Sequence, residues 1–255
     1  MRTLTLAGEA LAVLVVLTGS IHAPYARVPD PPTDPGAAVL QVKEWRSLVG
    51  PSEQAEIPEV TILGGGRVIV PAGQDGALQR ATEHTLTPDE YRYVYRLAHQ
   101  AGLARNRHYS SPIEATDGSL LVVTLRSGGR TYTTTVTSPW AGEAGPRGRI
   151  VGFRRALNAL VAAEATTPYR PAEYAALVTG GFGSREDRAA RPWPGGTELL
   201  PGVRTYVGMC TPLTSVPPEA TGTALWASGR EILWVTLRPL LPHERACADL
   251  DRGTP

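Results

Sequence analysis

The 255 residues are enough for one large or two small domains, each with a core of its own. A formal net charge of +1, with only 19% charged residues, gives no global attraction for nucleic acid or for a strongly anionic substrate. Lys43 is the sole lysine, so a lysine nucleophile or Schiff base has that one position open to it.

Arg2 precedes an apolar run at residues 10–17, ALAVLVVL, and small or helix-breaking residues follow, which is the layout of a secretory signal. The run is shorter than the ~20 apolar residues that a bilayer span requires, and Glu9 sits at its edge. Residues 1–23 are therefore expected to export the chain, with Thr18 and Ser20 as the small positions before a cut; left uncleaved, the segment would be an N-terminal anchor. Leu17-Thr18-Gly19-Ser20 resembles a bacterial lipoprotein box with serine where the lipid-bearing cysteine belongs, so export without lipidation is expected. Residues 24–37, beginning PYARVPDPPTDPG, are dense in proline and read as an extended spacer.

A domain is expected over 38–165. Val39, Leu40 and Val42 suggest a first strand, and 60–63 and 67–70 suggest two more, joined at Gly64-Gly65-Gly66. Those glycines lack the following Lys-Ser/Thr of a phosphate loop and read as a turn. Residues 86–103, LTPDEYRYVYRLAHQAGL, carry a full set of helix signals: Thr87 as N-cap, Pro88 in the first turn, Glu90 to close a capping box, Gly102 as the stop. Leu86 can staple onto Tyr91, and Tyr91, Val94, Tyr95, Ala98 and Ala101 fall on one face. Residues 117–126 and 131–136 are β-rich arms around Ser127-Gly128-Gly129-Arg130, with Leu121, Val123 and Leu125 facing one way. A loop over 138–148 leads to a last helix at about 150–164, striped by Ile150, Phe153, Leu157, Leu160 and Val161. This order predicts an α+β layer: two helices on one face of an antiparallel sheet.

Composition shifts near Thr166, and 166–255 is expected to be a smaller, mostly-β domain with short strands at 174–179, 203–210, 224–226 and 231–237. Cys210 and Cys247 both lie there. In an exported chain two cysteines are most simply one disulfide; a metal pair or a reactive thiol is the alternative.

The segments VLQVKEWRSLVG, VTILGGGRVIV, LTPDEYRYVYRLAHQAGL and SGGRTYTTTV, and in the second half RPWPGG and LRPLLPHERAC, are similar to a group of exported actinobacterial proteins of unknown function. In its order of elements the first half also resembles emfourin-type domains, small protein inhibitors of metalloproteases, which implies an inhibitor role as a second reading. Those domains carry a Gly-Gly-Phe-like segment after the first strand, where this chain has Glu44-Trp45-Arg46 before Ser47-Leu48-Val49-Gly50, so no inhibitory residue carries over.

Catalytic patterns are thin: Gly-x-Ser-x-Gly, His-Glu-x-x-His, Ser-x-x-Lys and a dinucleotide fingerprint are all missing from the sequence. His243-Glu244-Arg245-Ala246-Cys247 mimics a zincin motif but follows Pro242 in a proline-rich tail, and reads as an exposed His-Glu pair beside a disulfide. His99 on the helix and His108 after it could pair on zinc, though surface roles fit them better. No cofactor is implied. Candidate binding residues are Arg147, Arg149, Arg154 and Arg155 around the last helix, which could meet phosphate-bearing polymers or lipid headgroups, and the loop tryptophans Trp140 and Trp193; Trp226 and Trp234 read as core. The expectation is an exported, non-enzymatic binding module of the bacterial envelope whose partner is an envelope protein or anionic wall polymer. An inhibitor of a secreted metalloprotease and a hydrolase with an unrecognised site are the alternatives.

Overall fold

The computed structural model describes residues 28–46, 56–111, 118–140, 142–184, 190–196, 198–200, 202–205, 208–220 and 225–251. The expected signal segment, residues 1–23, lies outside them. Fourteen strands among the described residues form one hydrogen-bonded sheet.

The first half runs β1 (Ala38–Arg46), β2 (Val60–Leu63), a 3-10 turn at Gly64–Gly66, β3 (Arg67–Asp75), β4 (Leu78–Thr85), α1 (Pro88–Gln100), β5 (Arg107–Tyr109), β6 (Ser119–Ser127), β7 (Arg130–Thr137) and α2 (Gly145–Ala162). In α1 the local signals do what their chemistry requires. Thr87 Oγ1 accepts from the Glu90 amide at 3.3 Å, and the Glu90 carboxylate takes the Thr87 amide at 2.8 Å, which closes the capping box. Gly102 turns to φ 87° and Leu103 N–H reaches back to the Ala98 carbonyl at 3.1 Å. Leu86 and Leu103, on either side of the helix, are both buried.

One face of the first-half strands meets both helices. Leu40 lies opposite Ile62 and Leu125, and Val42 opposite Val60 and Val123, so successive rungs place apolar side chains on the same side. These residues and Val68, Leu121 and Val136 pack with Tyr91, Val94, Tyr95 and Ala98 of α1 and Ile150, Phe153, Leu157 and Val161 of α2. Helix α2 starts at Gly145, five residues before its apolar stripe, so the glycines of the expected loop form its first turn. Strand β4 carries no clean alternation and is organised by its neighbours: it pairs with β3 from Arg67–Thr85 to Asp75–Leu78.

The proline-rich stretch is not a free spacer over its described part. Tyr91 Oη donates to the Pro32 carbonyl at 2.6 Å, Gly64 N–H to Ala37 O at 3.1 Å, and Val28 packs against the helix-side core. Gly64 is the close approach that permits this docking: a Cβ there would lie 2.1 Å from the Asp34 carbonyl oxygen.

The second half adds β8 (Thr167–Pro168), β9 (Tyr174–Ser184), β10 (Arg191–Pro192), β11 (Val203–Thr205), β12 (Gly208–Leu213), β13 (Leu225–Ser228) and β14 (Glu231–Pro239), with 3-10 turns at Pro218–Ala220 and Cys247–Asp251. The strand expected over 203–210 is thus a hairpin, β11 against β12. The sheet order is β11-β12-β9-β14-β4-β3-β2-β1-β6-β7-β5, with β13 and β10 attached beside β14 and β8 beside β4. Most pairings are antiparallel, but β5–β7, β10–β13 and β14–β4 are parallel, so the architecture is α+β on a mixed sheet. At the centre β14 meets β4 by one register position, Leu237 opposite Leu78, where Leu237 N–H donates to Ala77 O at 2.7 Å. Trp226, Leu233, Val235, Leu237, Ala176 and Val178 form a second core, and Ala175, Leu177, Leu240, Cys210 and Cys247 a third on the opposite side of β9. Cys210 and Cys247 are joined as a disulfide.

Gly64→Ala should lower stability by about 2 kcal/mol or more, because the added methyl meets backbone that cannot turn aside. Gly128→Ala, where only the positive φ of 55° is at stake, should cost about 1 kcal/mol. Urea melts of the two variants against the parent check the order.

Candidate functional site

The sheet face away from the helices carries the chain's least expected chemistry. Gln41, Thr61, Ile69 and Glu83 form one row across β1 to β4, and Lys43 follows Gln41 on the same side of β1. Residues after β14 return across this face. Leu241 packs with Ile57, Leu63, Ile69 and Ala81, while its neighbour Leu240 packs on the other side with the disulfide cluster. The segment is held by a doubly hydrogen-bonded ion pair: Arg238 Nη1 and Nη2 each donate to Glu244 at 2.8 Å, and the Leu241 amide donates to the same carboxylate at 2.8 Å. Both side chains are buried, at 4% and 7% exposure. The His-Glu pair read as exposed is therefore not: Glu244 is spent on Arg238, and Cys247 on the disulfide, which removes the zincin-like reading.

His243 sits beside the pair. Gln41 Nε2 donates to Thr61 Oγ1 at 3.4 Å and to His243 Nε2 at 3.0 Å, which leaves the imidazole proton on Nδ1, buried and without a partner among the described residues. Burial lowers the His243 pKa, and Arg238 adds to the effect against the opposing pull of Glu244 and Asp249. Lys43, with Nζ 5.0 Å from the centre of the Trp45 ring, responds to the same surroundings. Desolvation, followed by Arg238, brings its amine down to about 7, although Glu244 and Glu56 pull the other way.

At the margin of this face is a cavity of about 390 Å³ between the two halves of the sheet. Tyr169, Leu240 and Leu241 supply its aromatic and apolar wall, and Arg67, Arg170, Glu173, Glu244 and Arg245 its charges. Tyr169 is fixed by its hydroxyl, which donates to Leu240 O at 2.7 Å, and by Arg67, whose guanidinium lies 5.6 Å from its ring centre and pairs with Glu83 at 2.5 Å. Burial pushes the Tyr169 phenol up to about 12, so it remains a neutral donor at ordinary pH. Arg170 and Arg245 are exposed, and neither guanidinium is in an ion pair among the described residues.

The residues singled out from sequence lie elsewhere and do not form one basic patch. Arg147 is an internal clamp: it donates to both carboxylate oxygens of Glu143, at 2.5 and 2.9 Å, and to the carbonyls of Tyr109, Ser110, Thr137 and Ser138. Arg154 pairs with both Glu44 and Glu59. Arg149 and Arg155 are exposed on α2. Trp140 is exposed at 53%, whereas Trp193 is half-buried and stacks edge-on against Trp226, with ring centres 5.7 Å apart. Trp226 is core, and Trp234, at 37% exposure, stands at the surface. The two helix-region histidines each face a hydroxyl: His99 Nε2 lies 3.0 Å from Ser127 Oγ, which also accepts from Tyr95 Oη, and His108 Nδ1 lies 2.6 Å from Thr135 Oγ1. The Ser127–His99 contact has the first two members of a hydrolytic triad. Ser127, however, is 4% exposed, and among the described residues no carboxylate meets His99, so the contact reads as a tie between α1 and its hairpin.

Sequence reasoning overlooked Tyr169, Arg170, Glu173 and Arg238. One signal was present, an arginine closing the otherwise apolar strand ILWVTLRP, since arginine at a core position demands a buried acid. In comparison with known proteins, no family model, no curated protein and no solved structure matches the chain.

Arg238→Met alone should destabilise the fold by about 3 to 5 kcal/mol by stranding Glu244, while Arg238→Met with Glu244→Leu should recover most of the loss, both read from urea melts. For Lys43 the unfolded chain holds the proton more tightly than the folded one, so stability rises with pH from about 7 towards the ordinary lysine range. Lys43→Met should therefore raise Tm by about 3 °C or more at pH 7. The advantage should shrink steadily by about pH 10, as read from the difference between the two proteins' melting curves.

Proposed function

We propose that the chain is an exported, non-enzymatic binding module of the bacterial cell envelope whose partner is an anionic wall polymer. The observation that carries the reading is the cavity between the two sheet halves, where Arg170 and Arg245 present guanidinium groups without ion pairs among the described residues. Arginine forks match carboxylate and phosphate oxygens bidentately, and a wall of fixed apolar and aromatic side chains suits recognition more than turnover. The disulfide supports an oxidising, exported setting, since such bonds persist outside the cytosol. Among the described residues no helix is long and apolar enough to cross a membrane. The rigid clamp of Arg147 and the ion pairs of Arg154 direct attention away from α2 as the binding surface.

Purified protein lacking residues 1–23 should co-sediment with bacterial wall preparations in low salt and be released as salt rises. Arg170→Ala with Arg245→Ala should reduce the bound fraction at least fivefold, and Arg149→Ala with Arg155→Ala should leave it unchanged. Sedimentation that is indifferent to salt and to the cavity arginines would overturn the reading.

A further inference from the structure

The cavity has more specific chemistry than a positive surface. Its charges fall into two sets. Arg67 and Glu244 are already committed, to Glu83 and to Arg238, so they shape the wall without offering an open charge. Arg170, Arg245 and Glu173 are exposed and have no ion pair among the described residues, so the open groups are two cations and one carboxylate around a pocket of about 390 Å³. That volume is at the small end of the range for small-molecule sites, suited to one ring and its substituents. Its accessible apolar lining is Tyr169, Ala172 and Pro242, with Leu240 and Leu241 buried behind it, which favours the C–H face of a ring over an extended polar chain. A second cavity, of about 460 Å³ beside α2, offers a useful contrast. Its arginine, Arg154, is neutralised by Glu44 and Glu59, and Glu164 adds another acid to its lining, so it holds no charge for an anion.

We infer that the cavity between Tyr169–Glu173 and residues 240–245 is a subsite for one anionic sugar unit, a monosaccharide bearing a single phosphate or carboxylate. The anionic group takes Arg170 and Arg245, a ring hydroxyl donates to Glu173, and the ring lies against Tyr169 and Pro242. This assignment rests on the binding role proposed above and names the repeating unit that such a polymer would present. Because Arg170 precedes β9 and Arg245 follows β14, the site is complete only when the C-terminal segment is seated across the sheet.

The test is an NMR titration of ¹⁵N-labelled protein comprising residues 24–255 with glucose 1-phosphate, glucuronate, glucose and inorganic phosphate. Glucose 1-phosphate and glucuronate, which separate phosphate from carboxylate as the anion, should saturate shifts confined to residues 169–173 and 240–245. At least one of them should bind ten times more tightly than glucose and than inorganic phosphate. Arg170→Ala and Arg245→Ala should each weaken it at least tenfold, with unchanged Tm showing that the fold survives, and Glu173→Gln should weaken the sugar anion without affecting inorganic phosphate. Equal binding of glucose, shifts centred on α2, or no saturable shift would overturn the inference. Sugar binding without wall sedimentation would uphold the subsite and sink the envelope role; wall sedimentation without sugar binding would do the reverse.

Discussion

The Arg238–Glu244 pair is the interaction on which the rest of the arrangement depends. Arg238 is the penultimate residue of β14 and Glu244 lies beyond Pro239-Leu240-Leu241-Pro242-His243, so joining them fixes where the chain goes after it leaves the sheet. A buried pair of this kind is roughly balanced against an apolar equivalent, because desolvation offsets attraction. Its influence is on geometry: each charge alone is costly, so conformations that separate them are disfavoured. With the pair made, Leu240 enters the disulfide cluster and Leu241 the back of the first-half sheet, one residue on each side.

That seating matters because the backbone joins the two halves so sparingly. Strands β14 and β4 share one register position, far fewer than β14 and β9. Cohesion must come from side chains: Leu241 against Ile69 and Ala81, Tyr169 against the same cluster, His243 against Gln41. The disulfide then ties the far end of the segment to β12, so the segment is fixed at three points by three kinds of force. Lys43 and His243 are drawn into a desolvated setting by the same closure, and their lowered pKa values record it.

What could be read from the sequence is what local chemistry determines. Capping residues, glycine-bearing hairpins and the stripe of α2 act over a few positions, and they identified α1, β2, β6–β7 and β13–β14 near their observed ends and the start of β3, which runs on past the expected 67–70 to Asp75. Strand β4 was silent, since LQRATEHT has neither a strong β composition nor clean alternation and exists because β3 offers it a partner. The true start of α2 was hidden by glycines, with Pro146 in its first turn and the Arg147 clamp, which draws on carbonyls some ten and nearly forty residues away in sequence, holding it in place. Trp193 looked like a loop tryptophan because its contact, Trp226, is remote. The cavity was invisible for the same reason: Arg67, Tyr169 and Arg245 belong to separate elements, and only the closed tail makes them neighbours.

A net charge of +1 excluded a global electrostatic role, but it averages over arginines in two very different situations. Arg67, Arg80, Arg92, Arg147, Arg154 and Arg238 each face an acid within the chain and contribute little field beyond their own neighbourhoods. In the proposed subsite the exposed guanidinium groups of Arg170 and Arg245 would act over a short range, within a screening length of the bound anion. On the proposed reading, a nearly neutral protein would discriminate an anionic unit at one place without adhering to every polyanion it meets. The selectivity proposed for the cavity would follow from pairing Arg67 and Arg238 internally beside it and leaving Arg170 and Arg245 open at its rim.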